Sequence, residues 1–159
     1  IVTLSIHAEK NFPVRKARSS LDIGLPDGTG DDDYLAVLDA HLPRLLDDFA
    51  PDIVLYQAGV DPHANDKLGR LALSDSGLER RERYVVDAVR SRRVPLASAL
   101  GGGYGEDQRE VAGRHARSMI AMASENARYA APASNRYPRS PSDSRTTRTR
   151  AAGSSAGSA

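Results

Sequence analysis

Tyr56-Gln57-Ala58-Gly59-Val60-Asp61-Pro62-His63-Ala64-Asn65-Asp66-Lys67-Leu68-Gly69 is the stretch from which the rest of the chain is read. An apolar run over 53–56 flows into a short loop that holds two carboxylates, an imidazole and two glycines. Buried parallel strands read as such runs, and α/β proteins keep their chemistry just beyond the carboxyl ends of those strands. A later apolar run, 94–100, ends in Gly101-Gly102-Gly103-Tyr104. Loop and glycine run are therefore expected to form half of one site, whose other half does not lie in this chain.

The flanking sequence supports an α/β reading. Residues 1–6 alternate branched or apolar residues with small polar ones and predict a strand ending near His7. Residues 8–30 show no helical period and are punctuated by prolines and glycines, which predicts a long ordered loop. Asp31, Asp32 and Asp33 place negative charge where a helix N-terminus favours it. Tyr34, Leu38, Leu42 and Leu45 follow at helical spacing, predicting a helix over 32–48 with Pro43 as a kink or a split. Strands are expected at 53–57 and 94–100. Ser74 or Asp75 caps a helix to about Arg92, and Glu106 or Asp107 opens a last one carrying Val111, His115, Met119 and Ile120. Arg80, Arg81, Glu82, Arg83 and Arg90 read as a solvated helix surface. Strand, helix, strand, helix, strand, helix builds a parallel sheet flanked by helices. Three strands leave an apolar edge unpaired, and the chain opens at Ile1 within its first strand, so truncation or a pairing partner is expected.

Composition narrows the class. The chain has 159 residues and a formal charge of +1. Residues 124–159 are mostly Ala, Ser, Arg and Pro and carry +4, while residues 1–123 carry −3. Two units follow: a folded part over 1–123 and a disordered Ser/Ala/Arg-rich tail over 124–159. Because the small net charge averages an acidic body and a basic tail, nucleic-acid binding is not expected. The sequence contains no cysteine, which excludes disulfides and thiolate metal sites and fits a cytoplasmic protein. No apolar run approaches the ~18 residues of a membrane span, and no membrane association is expected.

Asp61 and Asp66 are the metal-ligand candidates, with His63 in the same loop and His7 at the first strand's end. Carboxylate oxygen suits a catalytic zinc, which takes three protein ligands and leaves one position for water. Equally, both aspartates can shape the loop by accepting backbone N–H bonds. Tyr104 can donate its phenol O–H to an oxyanion, or simply pack beneath a tight turn. His41 and His115 fall on helices and read as surface or core. The glycine run lacks the lysine and the spacing of a phosphate loop.

Three stretches, 21–31 (LDIGLPDGTGD), 56–69 and 100–104 (LGGGY), resemble the histone deacetylase family, in the bacterial class IV-like and acetoin-utilisation-like branch. The resemblance covers about residues 2–123. It implies an arginase-like α/β fold and a zinc-dependent amidohydrolase that removes acetyl groups from acetyl-lysine or a small acetylated amine. On this resemblance Asp61, in a Gly-x-Asp context, is one zinc ligand, and Tyr104 polarises the acetyl carbonyl. Phe12, Leu68, Gly102 and Gly103 line the acyl-lysine tunnel. Ser5 and Ile6 help hold a structural potassium ion.

The family's histidine dyad and its Asp-x-His zinc ligands would lie upstream of Ile1. The chain therefore reads as the C-terminal part of the fold, inactive until joined by a missing N-terminal half. The rival reading is a degenerate, non-catalytic module that folds or binds with a partner.

Overall fold

The computed structural model describes residues 1–130. The element order is β1 (Leu4–Ala8), β2 (Leu21–Leu25), α1 (Asp31–Phe49), β3 (Val54–Gly59), α2 (Asp75–Arg90), β4 (Leu96–Gly101) and α3 (Gln108–Ala127). All strand pairing is parallel. β1 pairs with β2, so that Leu4, Ile6 and Ala8 stand opposite Leu21, Ile23 and Leu25. β3 pairs with β4, setting Val54 beside Leu96 and Gly59 beside Gly101.

Two expectations need correction. The 8–30 segment is not a continuous loop, since Leu21–Leu25 forms a strand. The expected single three-stranded sheet is instead four strands in two two-stranded sheets, β1-β2 and β3-β4. Five residues containing an Asp and a Gly carry weak strand propensity. Their partner, β1, supplies what local sequence does not.

α1 buries Tyr34, Leu38, Leu42 and Leu46, one residue per turn, and runs through Pro43 as one helix. α2 starts at Ser74, whose side chain accepts from the Gly77 N–H at 3.0 Å. Asp31, the first residue of α1, accepts from both the Ser74 N–H at 2.8 Å and its hydroxyl at 2.6 Å. One carboxylate thus ties the starts of two helices together. α3 is capped by Asp107, which accepts from the Arg109 N–H at 2.7 Å. The helix continues to Ala127, past the point where apolar periodicity stops. The expected tail falls outside the described residues from position 131 on.

The core joins both sheets to the helices through Leu25, Leu38, Val60, Leu73, Leu78 and Val89. The opposite face of β3 is open, with Ile53 54% and Leu55 78% exposed. Parallel sheets are ordinarily covered on both faces. Among the described residues no helix is long and apolar enough to cross a membrane.

Ser74→Ala removes the α2 cap and one of its bonds to Asp31. The expected cost is about 1–2 kcal/mol, read as a lower urea midpoint with an unchanged slope. An unshifted midpoint would show that the cap contributes nothing.

Candidate functional site

β3 and β4 run side by side and end together, and this shared end carries both candidate residues. From β3 the chain passes through Val60, which is 1% exposed, to Asp61. From β4 it enters Gly102 and Gly103, at φ 60° and 97°, and then Tyr104. The Val60 N–H donates to the Gly101 carbonyl at 3.1 Å, extending the ladder one step into the loops.

Asp61 fits against the glycines closely. A Cβ on Gly102 would stand 1.9 Å from Asp61 Oδ1, and one on Gly59 would stand 2.5 Å from the same atom. Only a bare backbone leaves room for that carboxylate. Burial pushes the Asp61 carboxyl above its ordinary value, and Asp66 adds to the shift, while Arg81 and His115 pull the other way. Among the described residues Asp61 makes no ion pair. A half-buried carboxylate of this kind is stabilised in its charged form by a nearby cation. No three His, Cys, Asp or Glu side chains gather as a metal-holding group among the described residues. Asp61 is therefore a lone candidate ligand, and the described residues do not by themselves make a zinc site.

The rest of the loop is tied by backbone bonds. Asp66 Oδ1 accepts from the N–H groups of Leu68 at 2.9 Å and Gly69 at 2.6 Å. Its Oδ2 accepts from the Tyr104 N–H at 2.6 Å. His63 Nδ1 accepts from the Asn65 N–H at 3.0 Å, which leaves the proton on Nε2, 3.3 Å from Asp75. Burial lowers the His63 pKa, and Arg114 adds to the effect against the pull of Asp75.

The other sequence candidates are placed as follows. Leu68 is 60% exposed and Tyr104 52%, on the same loop rim. Phe12 is 86% exposed in the β1–β2 connection, carried by the other sheet. Ser5 and Ile6 lie within β1, and Ser5 Oγ lies 2.9 Å from His7 Nδ1. The structure thus brings Asp61, Gly102, Gly103, Tyr104 and Leu68 together, while Phe12, Ser5 and Ile6 belong to the β1–β2 unit. An Asp-x-His on α1, Asp39-Ala40-His41, lies elsewhere, and Asp39 accepts from the Tyr84 hydroxyl at 2.6 Å.

Two supporting residues escape sequence reasoning. Arg81 and Glu82 are not solvated, as expected from their charged surroundings, but 3% and 0% exposed. Arg81 Nη2 donates to the Gly59 carbonyl at 2.8 Å and to Glu82 Oε1 at 2.6 Å. His115 Nε2 lies 3.3 Å from the Gly102 carbonyl, an acceptor only, so this nitrogen is the donor. Helical spacing is the signal that distinguishes Arg81 and Glu82 from Arg80 and Arg83: they stand three and four residues after buried Leu78 and four and three before buried Val85. His115 likewise sits one helical turn from buried Val111, on the face that meets the glycine run.

The comparisons with known proteins bear on family and fold. The family profile described as Histone deacetylase domain matches residues 1–121. The chain belongs to the histone deacetylase domain family. An uncharacterized protein of Picosynechococcus is 47% identical over 115 residues, which is 72% of this chain and 38% of that protein. Histone deacetylase 2 of Arabidopsis thaliana is 35% identical over 91 residues, 56% of this chain and 24% of that one. The chain thus spans well under half the length of these relatives. In fold it is similar to acetylpolyamine aminohydrolase from Burkholderia pseudomallei, with a TM-score of 0.63 at 21% identity over 78% of this chain and 38% of that one. The architecture is the deacetylase- and arginase-like α/β class, with parallel sheets flanked by helices.

Gly102→Ala requires a left-handed backbone for a residue with a Cβ, and pushes that Cβ into Asp61. A loss of at least about 1–2 kcal/mol is expected from the backbone alone, measured by urea unfolding. A variant as stable as the parent would refute the close packing.

A second prediction concerns pH. The His63 pKa is lower in the folded chain than its ordinary value of about 6.5, so on acidification the unfolded chain takes up the proton first. Stability is therefore lost as pH falls from about 6.5 towards the lower folded value. His63→Gln should flatten that part of the stability profile in unfolding curves taken across this range. An unchanged slope would remove His63 as its source.

Proposed function

We propose that this chain is the C-terminal part of a zinc-dependent deacetylase domain that hydrolyses acetyl-amide bonds. The observation that supports this most is that Asp61 and Tyr104 both follow the paired carboxyl ends of β3 and β4, with the Asp61 carboxylate packed against Gly102. Asp61 serves as one metal ligand, and the remaining ligands and the histidine dyad come from an N-terminal half. The open β3 face at Ile53 and Leu55 is a surface suited to that half. Zinc, when bound, supplies Lewis-acid activation of water and carbonyl. Tyr104 donates its phenol O–H to the oxygen that gains charge as the carbonyl is attacked. Leu68, Gly102, Gly103 and Phe12 line the path of the acyl chain, and Ser5 and Ile6 contribute to a potassium site.

Acetylated lysine or a small acetylated amine is the substrate class. Histone deacetylase 2 and acetylpolyamine aminohydrolase, by their names, act on one of each. The protein acts in the cytoplasm. The chain by itself is inactive, because a single carboxylate neither holds zinc firmly nor supplies a base.

The test uses the full-length protein loaded with zinc, on an acetyl-lysine peptide and an acetylated polyamine, with acetate release as the readout. Tyr104→Phe should lower kcat by roughly 10²–10³ with zinc retained, whereas Asp61→Ala should lose zinc. The chain alone should release no acetate. A full-length protein that binds zinc and turns over neither substrate would favour the non-catalytic module instead.

A further inference from the structure

Tyr104 is held by its backbone, and the group that holds it is a carboxylate with no role in the chemistry described above. Its N–H donates to Asp66 Oδ2 at 2.6 Å, and its carbonyl accepts from the Lys67 N–H at 3.3 Å. Both bonds cross from the β3 loop to the β4 loop. Asp66 is itself fixed by the Leu68 and Gly69 N–H groups on its other oxygen. Gly69 closes the arrangement, because a Cβ there would stand 2.0 Å from the Asp61 carbonyl and 3.2 Å from Asp66 Cβ. Asp61, Asp66 and Tyr104 are therefore parts of one backbone-clamped unit.

We propose that Asp66 is the positioning residue for Tyr104, setting the place of its hydroxyl relative to Asp61 through the bond to the Tyr104 N–H. Gly102 and Gly103, both at positive φ, impose no side-chain packing on the stretch that leads to Tyr104. A glycine run leaves the residue after it free to move unless something outside the run holds it. Asp66 is that anchor. A carboxylate accepting three N–H bonds is stronger than a neutral acceptor, which suits a clamp between two loops. Reactions of this type are sensitive to placement: a displacement near 1 Å costs on the order of a hundredfold in rate. The inference rests on the deacetylase reading for its catalytic consequence, but not for the clamp itself.

Asp66→Asn separates the clamp from the loop. The amide oxygen can keep the Leu68 and Gly69 bonds, which leaves its NH2 facing the Tyr104 N–H, donor against donor. Two measurements decide the matter. In the full chain, amide exchange followed by NMR should show a protected Tyr104 N–H that exchanges at least about tenfold faster in Asp66→Asn, with Leu68 and Gly69 unchanged. In the zinc-loaded full-length protein, Asp66→Asn should lower kcat roughly tenfold to a hundredfold with KM and zinc content unchanged. The same substitution made on Tyr104→Phe should cost no more than about twofold, since the two act through one hydroxyl.

A Tyr104 amide that exchanges equally fast in parent and variant overturns the proposal. So does an Asp66→Asn loss that is undiminished in the Tyr104→Phe background, which marks a general structural effect. If the parent releases no acetate from either substrate, the deacetylase reading fails, while the exchange measurement still decides the clamp.

Discussion

A guanidinium and a carboxylate, both nearly out of water, sit at adjacent positions of α2 and hold the site end of β3. Arg81 reaches the Gly59 carbonyl, and Glu82 accepts from the Tyr56 hydroxyl at 2.5 Å. Burial holds the Tyr56 phenol well above its ordinary pKa, so it remains a donor. The strand is thus fastened by its backbone at one residue and by a side chain three residues earlier. Burying such a pair is costly, and removing one partner leaves a charge stranded. Its location argues for geometry rather than stability: it fixes the last turn of chain before Asp61. If α2 slipped along β3, the pair would break and the loop would lose its reference.

Around that anchor the site grows outward by short-range constraints. The glycine after β4 leaves room for the Asp61 carboxylate, and His115 on α3 reaches the Gly102 carbonyl. Each of the elements β3, β4, α2 and α3 contributes at least one contact to the site loops. β1 and β2 share the hydrophobic core but, among the described residues, pair as strands only with each other. The two sheets therefore have different tasks. One leads into Asp61 and Tyr104, and the other carries Ser5 and Ile6 and shares its core with α1, whose Asp31 in turn fixes the start of α2.

Much of this was legible in the chain order. The largely apolar runs before Gln57 and before Gly101 identify β3 and β4, because short apolar runs leading into glycine-containing loops read as strands. The helices followed from period and caps, with Ser74 and Asp107 as their starts. β2 was not legible, because Asp22 and Gly24 break the apolar pattern and pairing with β1 is a non-local fact. The burial of Arg81 and Glu82 is masked by their charge, although their spacing from Leu78 and Val85 sets them on the apolar face of α2. What the sequence does not show is the non-local part, the Gly59 carbonyl and Tyr56 hydroxyl that receive them across the interface. In the loop itself, composition offered Asp61, Asp66 and His63 as equals. Their difference lies in direction: Asp66 and His63 turn to N–H groups, whereas Asp61 turns to bare glycine.

The absence of a side chain at Gly102 and the carboxylate of Asp61 occupy one volume between them. Each of the two therefore limits what can stand at the other. While the carboxylate is needed, any side chain at position 102 is excluded by overlap; once it is dispensable and replaced by a smaller residue, the overlap is relieved. The left-handed backbone at Gly102, φ 60°, still disfavours a side chain there when the carboxylate is gone. In this chain both positions keep the matched pair, aspartate at 61 and glycine at 102.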